Sequence, residues 1–341
     1  MLSGDRPERR SGVQLLGRRP TMVDVAREAG VALKTVSRVV NDEPGVHPTT
    51  AERVNRAIAR LRYRRNDLAR RLRSHAPTAT IGLIVEDVAS ARSAAIVGGV
   101  EAVIRDLGWL VVAGSCGEDA AEERRLVTAM VERQVDGLLV VPAGGDHRYL
   151  LSEVRRGTPA VFLGRPPAGI EADTVLLDDR EGAHAGVAAL LASGHRRIGV
   201  IAGAPAAGAV DERLAGWRGA LAAAGAVEDG GLLRLGLTDA AAAEVAVTEL
   251  LAAPDPPTAL FATNGRLALG VVRAAAAAAG TVAVLAFDRL PLADLLPFPV
   301  WVIDYDAAEL GRRGAELLLD RLDGNAGPAR RVVVRTALSM R

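Results

Sequence analysis

Cationic and hydrogen-bonding side chains are concentrated in one short segment near the start of the chain. Lys34 and Arg38 are four residues apart, so in a helix they lie one turn apart and can face a single groove. The uncharged polar residues beside them are Thr35, Ser37 and Asn41. The valines of the same segment fall at core spacing, so the polar side chains project from the opposite side. Such a face suits a polyanion such as nucleic acid.

Charge is distributed unevenly along the 341 residues. The net charge is only +1. Residues 1–75, however, contain roughly 17 Lys+Arg against 8 Asp+Glu, a balance of about +9. The remainder of the chain therefore carries about −8. A small basic head precedes a larger acidic body, which indicates a polyanion-binding module joined to a second functional unit.

Three short helices are predicted to position the polar face. Thr21 and Asp24 fit a capping box at the start of the first helix, and Gly30 suits its end. The second helix covers roughly 33–41, and a third begins near Pro48, a residue suited to a first helical turn. Helix, glycine-containing turn and helix form the helix-turn-helix pattern. A generic three-helix bundle with a solvated basic surface is the alternative.

The body has the alternating pattern of βαβ units. Apolar runs that predict strands cover 81–85, 110–113, 137–141, 160–163, 198–202, 258–262, 282–287 and 300–303. Helical patterns cover 94–107, 120–133, 180–193, 212–224, 240–252, 266–279 and 306–322. About 265 residues are enough for two parallel sheets, each with its own core.

Polar residues follow several predicted strands, where parallel sheets gather their ligands. These residues are Asp87, Ser90, Arg165, Arg213, Asn264 and Asp288. Their carboxylate, amide and guanidinium groups suit the hydroxyls of a sugar or nucleoside. Each one alone is more simply an ordinary cap or loop residue, but as a set they predict a binding cleft.

Several classes of protein are excluded or disfavoured. Cys116 is the only cysteine, so an internal disulfide scaffold is excluded. Residues 1–20 lack the apolar stretch of a secretory signal, which favours a cytoplasmic location. The apolar run 267–287 contains Arg273 and a glycine, so we expect a helix and a buried strand instead of a membrane span. Histidines are scattered and no catalytic spacing occurs, so we expect no metal, no cofactor and no enzymatic activity.

The head resembles the DNA-binding domain of the lac repressor/galactose repressor family of bacterial transcription regulators. Residues 21–73 contain Asp-Val-Ala, Ala-Gly-Val, Thr-Val-Ser-Arg-Val-Val-Asn and Ala-Arg-Arg-Leu in the family's order and spacing. The body is similar to the family's effector domain, which is a type I periplasmic-binding-protein-like fold of two parallel-sheet subdomains. The motifs concerned are 194–198, 212–217, Asn264 with 268–270, and Phe287-Asp288.

The resemblance implies roles for individual residues. Leu33, Lys34 and Arg38 match base-reading positions in the major groove, where cations donate to guanine and an apolar group meets a thymine methyl. The positions that match phosphate contacts are Thr21, Thr35, Ser37, Asn41, Thr50 and Tyr63. A hinge helix carrying Asn66, Ala69 and Leu72 would enter the minor groove, with Leu72 as the wedge. Arg213, Asn264 and Asp288 match positions that contact effectors.

The sequence departs from the family pattern in both parts. Ala32 stands where a capping serine is usual, and Arg65 replaces the proline that precedes Asn66. Many relatives carry Asn-Pro-Phe-Phe after the first body strand, where this chain has Ser90-Ala91-Arg92-Ser93. Aromatic residues make up only 3% of the chain, so few rings are available to stack on a sugar. The departures in the body point to an atypical effector or to weakened effector binding.

The sequence therefore predicts a basic, disordered tail (1–19), a helix-turn-helix domain (20–64), a hinge (65–76) and a ligand-binding and dimerisation body (77–341). Within the body, the N-subdomain covers about 77–177 and 305–330, and the C-subdomain covers about 178–304 and 331–341. We expect a homodimeric repressor that binds a near-palindromic operator in double-stranded DNA under control of a sugar-like small-molecule effector. The alternative is a solute-binding protein without a DNA role.

Overall fold

The computed structural model describes residues 20–63, 77–204, 208–278, 282–290 and 293–341. The chain divides into two compact units, residues 1–76 and 77–341. The predicted tail (1–19) and the whole of the predicted hinge (65–76), including Asn66, Ala69 and Leu72, lie outside the described residues. No helix in the part of the chain that the structure describes is both long and apolar enough to cross a membrane.

The head is built from α1 (Met22–Ala29), α2 (Leu33–Val40) and α3 (Pro48–Leu61). The α1 helix begins as the capping box predicts, because the Thr21 backbone N–H and hydroxyl both donate to Asp24 Oδ2, at 2.9 and 2.7 Å. It ends at Gly30, which adopts the left-handed conformation with φ +59°. The three helices meet at a small core whose fully buried members are Val25, Val36 and Val54.

The body contains two six-stranded sheets. The first has the order β11-β5-β4-β3-β1-β2, and all of its strands are parallel. Its strands are β1 (Thr80–Val85), β2 (Leu110–Ser115), β3 (Gly137–Val140), β4 (Ala160–Leu163), β5 (Asp173–Leu177) and β11 (Arg331–Val334). The second has the order β12-β10-β9-β8-β6-β7, with β12 antiparallel to β10 at its edge. Its strands are β6 (Ile198–Ile201), β7 (Leu233–Arg234), β8 (Ala259–Ala262), β9 (Ala283–Phe287), β10 (Val300–Asp304) and β12 (Ala337–Met340).

Most helices in the described part of the body connect strands of the same sheet, and two lie in connections that cross between the sheets. The helices associated with the first sheet are α4 (Ala91–Ile104), α5 (Ala120–Glu132), α6 (Leu151–Arg155) and α11 (Ala307–Leu322). Those associated with the second are α7 (Asp179–Ala192), α8 (Ala209–Ala223), α9 (Ala240–Leu251) and α10 (Gly265–Ala277). Glycine allows three pairs of these helices to touch closely, including α9 and α10, where a Cβ at Gly270 would lie 2.1 Å from the Ala240 carbonyl oxygen. A Cβ at Gly311 would lie 2.1 Å from the Ile96 carbonyl oxygen, and one at Gly216 would lie 2.2 Å from that of Arg180.

The chain crosses between the sheets three times, after β5, after β10 and after β11. The third crossing corrects one predicted boundary, which assigned 331–341 to the C-subdomain. The structure divides that segment, because β11 pairs with β5 in the first sheet and only β12 joins the second. An ionic cluster holds the segment that leads into β11. Asp173 binds Arg321 and Arg330, with nitrogen–oxygen distances of 2.7 Å to each.

Candidate functional site

The polar face of α2 lies on the surface of the head. Leu33 is 48% exposed although it is apolar, and Lys34 beside it is exposed. Arg38 is half-buried on the next turn. Among the described residues, neither Lys34 nor Arg38 forms an ion pair, whereas Arg60 on α3 is bound to Glu28 at 2.8 Å. The two cations of α2 therefore keep their donors for a group outside the head.

The residues predicted to contact phosphate differ in how many contacts they already make within the head. Thr21 caps α1, and Asn41 Nδ2 donates to Ser37 Oγ at 3.3 Å and to Glu43 Oε1 at 3.2 Å. Thr35, Thr50 and Tyr63 are half-buried, and Tyr63 packs against the head core. Thr21 and Ser37 thus have structural partners, and a role at phosphate would be additional to them.

Arg213 is the most deeply buried of the predicted effector residues, with 6% of its surface exposed. Arg213 lies near the start of α8. Its Nε is 2.7 Å from Asp179 Oδ1. A second nitrogen donates to the Thr263 carbonyl oxygen at 2.5 Å. The guanidinium covers the ring of Phe287, 3.6 Å from the ring centroid. Arg213 therefore ties α7, α8 and the ends of β8 and β9 together.

Asp288 follows β9 in a conformation that is unusual for a residue with a side chain, with φ +76°. Its Oδ1 accepts a hydrogen bond from the Tyr305 hydroxyl at 2.7 Å, and its Oδ2 accepts one from the Gly265 backbone N–H at 3.0 Å. Burial disfavours the charged carboxylate, but the charges of Arg213 and Arg92 outweigh burial and lower the pKa of Asp288. The Asp288 carboxylate is thus held in its ionised form by Tyr305, Gly265 and the two nearby arginines.

Arg92 and Tyr305 are cleft residues that sequence reasoning did not select. Arg92 lies in the first turn of α4 and binds Glu86, which follows β1, at 2.6 Å. A cavity of about 620 Å³ is lined by Arg92 from the first subdomain and by Asp288 and Tyr305 from the second subdomain and its crossing segment. The available signal was a lone arginine among small residues after the first strand, and it was read only as a departure from the family pattern.

The other predicted effector residues do not line that cavity. Asp87 and Ser90 accept hydrogen bonds from the backbone N–H groups of Ala89 and Ser93, at 2.9 and 3.1 Å. Asn264 caps α10 by accepting from Leu267 N–H at 2.9 Å. Ser90 and Asn264 therefore cap helices and Asp87 stabilises a loop turn, which are the local roles of the simpler alternative.

Arg165 has a different role at the end of the first sheet. It donates to the Pro142 carbonyl oxygen at 3.0 Å and to Glu118 Oε1 at 3.2 Å. These bonds join the loops that follow β2, β3 and β4. The arginine therefore stabilises one side of the region at the carboxyl ends of the strands.

A helix-turn-helix head followed by a body of two sheets with a polar cavity defines a class of protein, the effector-controlled DNA-binding regulator. Comparison with family models agrees. Residues 21–66 match the model described as bacterial regulatory proteins, lacI family. Residues 187–341 match the periplasmic binding protein-like domain.

Individual relatives extend the match over almost the whole chain. The transcriptional regulator CelR of Thermobifida fusca is 33% identical over 336 residues, which cover 95% of this chain and 98% of the relative. The repressor CytR of Escherichia coli is 29% identical over 308 residues, 89% of this chain and 90% of the relative. The chain belongs to the lacI family of bacterial transcriptional regulators. These relatives are regulators of transcription, not enzymes.

Solved structures give the same result for the fold. A complex of CelR with cellobiose matches with a TM-score of 0.69 and 32% identity, covering 94% of this chain and 98% of that one. The lac repressor dimer bound to operator and an anti-inducer matches with a TM-score of 0.76 and 25% identity over the same shares. Together they confirm the predicted fold class and favour a regulator over a solute-binding protein without a DNA role.

Proposed function

We propose that this protein is a cytoplasmic repressor that binds a near-palindromic operator as a homodimer and responds to a small, sugar-like effector. In this proposal Leu33, Lys34 and Arg38 read bases in the major groove, while Thr21, Thr35, Ser37, Asn41, Thr50 and Tyr63 contact phosphates. The residues proposed for the effector are Asp288, which lines the cavity, together with the other predicted set: Asp87, Ser90, Arg165, Arg213 and Asn264.

The observation that carries the DNA-binding role is the unpaired cationic face of α2. Ion pairs of surface arginine and lysine usually add little stability. Most arginines of the body nevertheless form an ion pair with a carboxylate. Lys34 and Arg38 stand without such partners among the described residues, beside the exposed Leu33. A helix with two unpaired cations and an apolar side chain on its outer side complements the guanine acceptors and thymine methyl groups of a major groove.

The effector role rests on the cavity between residues of both subdomains. A ligand in contact with Arg92 on one side and Asp288 on the other has a different affinity for an open and a closed body. Effector binding shifts operator affinity only to the extent of that difference. The cellobiose complex of CelR supports a sugar-like compound as the effector of this chain.

Selection of bound sequences from a random pool of duplex DNA tests the proposal. The full-length protein should enrich a near-palindromic sequence, and its affinity for that sequence should fall steeply as salt rises from 50 to 200 mM. A Lys34→Ala, Arg38→Ala double variant is the matched comparison, and it should lose the enrichment. Failure of the wild type to enrich any sequence, with or without added sugars, would contradict the proposed function.

A further inference from the structure

The chain passes between the two sheets at three short crossings. They are Asp178 after β5, residues 305–306 after β10 and residues 335–336 after β11. The third crossing is a neighbour of both others, because β11 pairs with β5 in the first sheet and β12 pairs with β10 in the second. Any change in the angle between the two sheets therefore has to bend the backbone at these few residues.

Asp178 binds the first crossing to the third. Its Oδ1 accepts a hydrogen bond from the Thr336 backbone N–H at 2.7 Å, and its own N–H donates to the Val334 carbonyl oxygen at 3.3 Å. The Asp178 side chain is only 10% exposed, so little water competes for the bond to Thr336. One side chain thus joins two crossings that are distant in sequence.

Gly182 lets the first turn of α7 pack directly on the same region. A Cβ at Gly182 would lie 2.5 Å from Thr336 Oγ1 and 3.0 Å from Ile303 Cγ2. Thr336 belongs to the third crossing, and Ile303 is the last residue but one of β10, just before the second. The start of α7 therefore contacts the other two crossings, and the packing leaves no room for even a methyl group.

Two of the predicted effector residues are each one hydrogen bond away from a crossing. Arg213 Nε lies 2.7 Å from Asp179 Oδ1, and Asp179 directly follows the first crossing. Asp288 Oδ1 accepts a hydrogen bond of 2.7 Å from the hydroxyl of Tyr305, which belongs to the second crossing. A ligand that moves Arg213 or Asp288 therefore disturbs a bond that ends at a crossing.

We propose that Asp179 and Tyr305 are positioning residues that transmit effector binding to the crossings, and that Asp178 makes the crossings move together. The inference rests on the proposed effector control and names the residues that carry its signal. Coupling between distant sites needs contiguous contacts that change together. The bonds from Arg213 and Asp288 to the crossings, joined by Asp178, supply such contacts.

Spin-label distances in the full-length protein test this link without any ligand. The labels are attached at Glu132→Cys in α5 and Glu249→Cys in α9, two exposed positions that lie on different subdomains, in a Cys116→Ser background. Labelled chains are diluted with an excess of unlabelled chains, so that only distances within one chain are measured. The wild type should give one narrow distance distribution.

Two variants break the link at different bonds. Asp178→Ala removes the acceptor of the Thr336 N–H, and Tyr305→Phe removes the hydroxyl that binds Asp288 but keeps the ring. Each should make the distance distribution at least twice as wide, because the sheets lose a restraint on their relative orientation. Each should also change the affinity for the selected operator at least fivefold.

Two matched variants separate this role from a general structural one. Asp178→Asn keeps an oxygen that can accept from the Thr336 N–H. Tyr149→Phe removes a similar 2.7 Å bond between a tyrosine hydroxyl and Glu123, within the first subdomain and away from the crossings. Both should keep the wild-type distance distribution and operator affinity. Urea unfolding of all four variants shows whether any change follows a loss of stability instead.

Three results overturn the proposal. They are an unchanged distance distribution in Asp178→Ala or Tyr305→Phe, equal widening in Tyr149→Phe, and a wider distribution with unchanged operator affinity. If Asp178→Ala does not fold, Tyr305→Phe decides by the same criteria. Enrichment of no DNA sequence by the wild type refutes the proposed function itself, whereas the distance measurement needs no DNA and tests the link to the crossings separately.

Discussion

The head and the body use charged side chains in opposite ways. In the head, Lys34 and Arg38 lie at the surface of α2, and neither forms an ion pair among the described residues. In the body, Arg213 and Asp173 are buried, and each is bound to an oppositely charged partner at 2.7 Å. Unpaired surface cations contribute little to folding and remain available to a polyanion, whereas buried pairs become essential to the fold once formed.

This difference predicts where substitutions have their effect. A charge removed from the head should weaken DNA binding and leave stability almost unchanged. A charge removed from the body's interior should lower stability first. The three tryptophans, Trp109, Trp217 and Trp301, all lie in the body, so their fluorescence reports unfolding of that unit alone.

Arg213→Met should have the largest effect on stability. It leaves Asp179 buried without its cation, and removal of one partner of a buried pair costs about 3–5 kcal/mol. Burial already raises the pKa of Asp179, and the loss of Arg213 raises it further. When a carboxyl has a higher pKa in the folded state than in the unfolded state, the free energy of unfolding falls as pH rises. The loss of stability in Arg213→Met should therefore be smaller at pH 5 than at pH 8.

Urea unfolding followed by tryptophan fluorescence measures this deficit at both pH values. Arg180→Met, in an exposed pair with Glu212, is the matched control and should change stability by less than about 1 kcal/mol. Equal deficits for the two variants would mean that burial of the ion pair does not govern the stability of the body.

Asp173→Asn should destabilise the body by about 2 kcal/mol at neutral pH. Burial opposes ionisation of Asp173, but Arg321 and Arg330 outweigh it and lower its pKa from 3.8 to about 2. A carboxyl with a lowered folded-state pKa stabilises the fold above its unfolded value. That contribution is therefore complete above pH 4 and is lost as the pH falls toward 2.

Unfolding free energies of wild type and Asp173→Asn, compared between pH 6 and pH 3, check this prediction. The two proteins should converge as the pH falls. Asp255→Asn, in an exposed pair with Arg197, serves as the control with little expected effect. A constant difference across this pH range would show that the charge of Asp173 is not what holds β11 to β5.

Arg38→Ala should weaken operator binding by about 1–3 kcal/mol and leave the fluorescence-detected stability of the body unchanged. The loss should be specific, because a base contact relaxes preference at one position in each half-site. Competition with operators mutated one position at a time measures it. The same loss on every DNA sequence would instead indicate a phosphate contact.

The sequence was most informative where structure depends on neighbouring residues. The limits of α1 follow from Thr21, Asp24 and Gly30, which act within one turn of the helix ends. The strands β5, β7, β11 and β12 were not predicted. Asp173, at the start of β5, is a charged residue in a buried strand, and its partners Arg321 and Arg330 lie about 150 residues away. Local patterns carry no information about such pairs.

The cleft shows the same limitation for function. Asp288 was predicted because it directly follows an apolar strand, and it does line the cavity. Arg92 was missed because its role depends on Glu86, Gly164 and Asp288, which lie on three other segments. By contrast, Lys34 and Arg38 lie one turn apart in a single helix, so their common face could be predicted from spacing, whereas the resemblance to the family added Leu33 and the base-reading roles.

Ala32→Ser should have the smallest effect, and in the opposite direction. Ala32 is the N-cap of α2, with an extended conformation (φ −69°, ψ 148°) and no side-chain bond to the first turn. A serine hydroxyl there can accept from the Thr35 N–H, and such caps contribute about 1 kcal/mol. Hydrogen exchange of the α2 amides in the full-length protein should slow about fivefold, while tryptophan-detected unfolding of the body stays unchanged. Ala32→Gly is the control, because it permits the same backbone without a hydroxyl, and equal protection in both variants would assign the effect to the backbone and not to the cap.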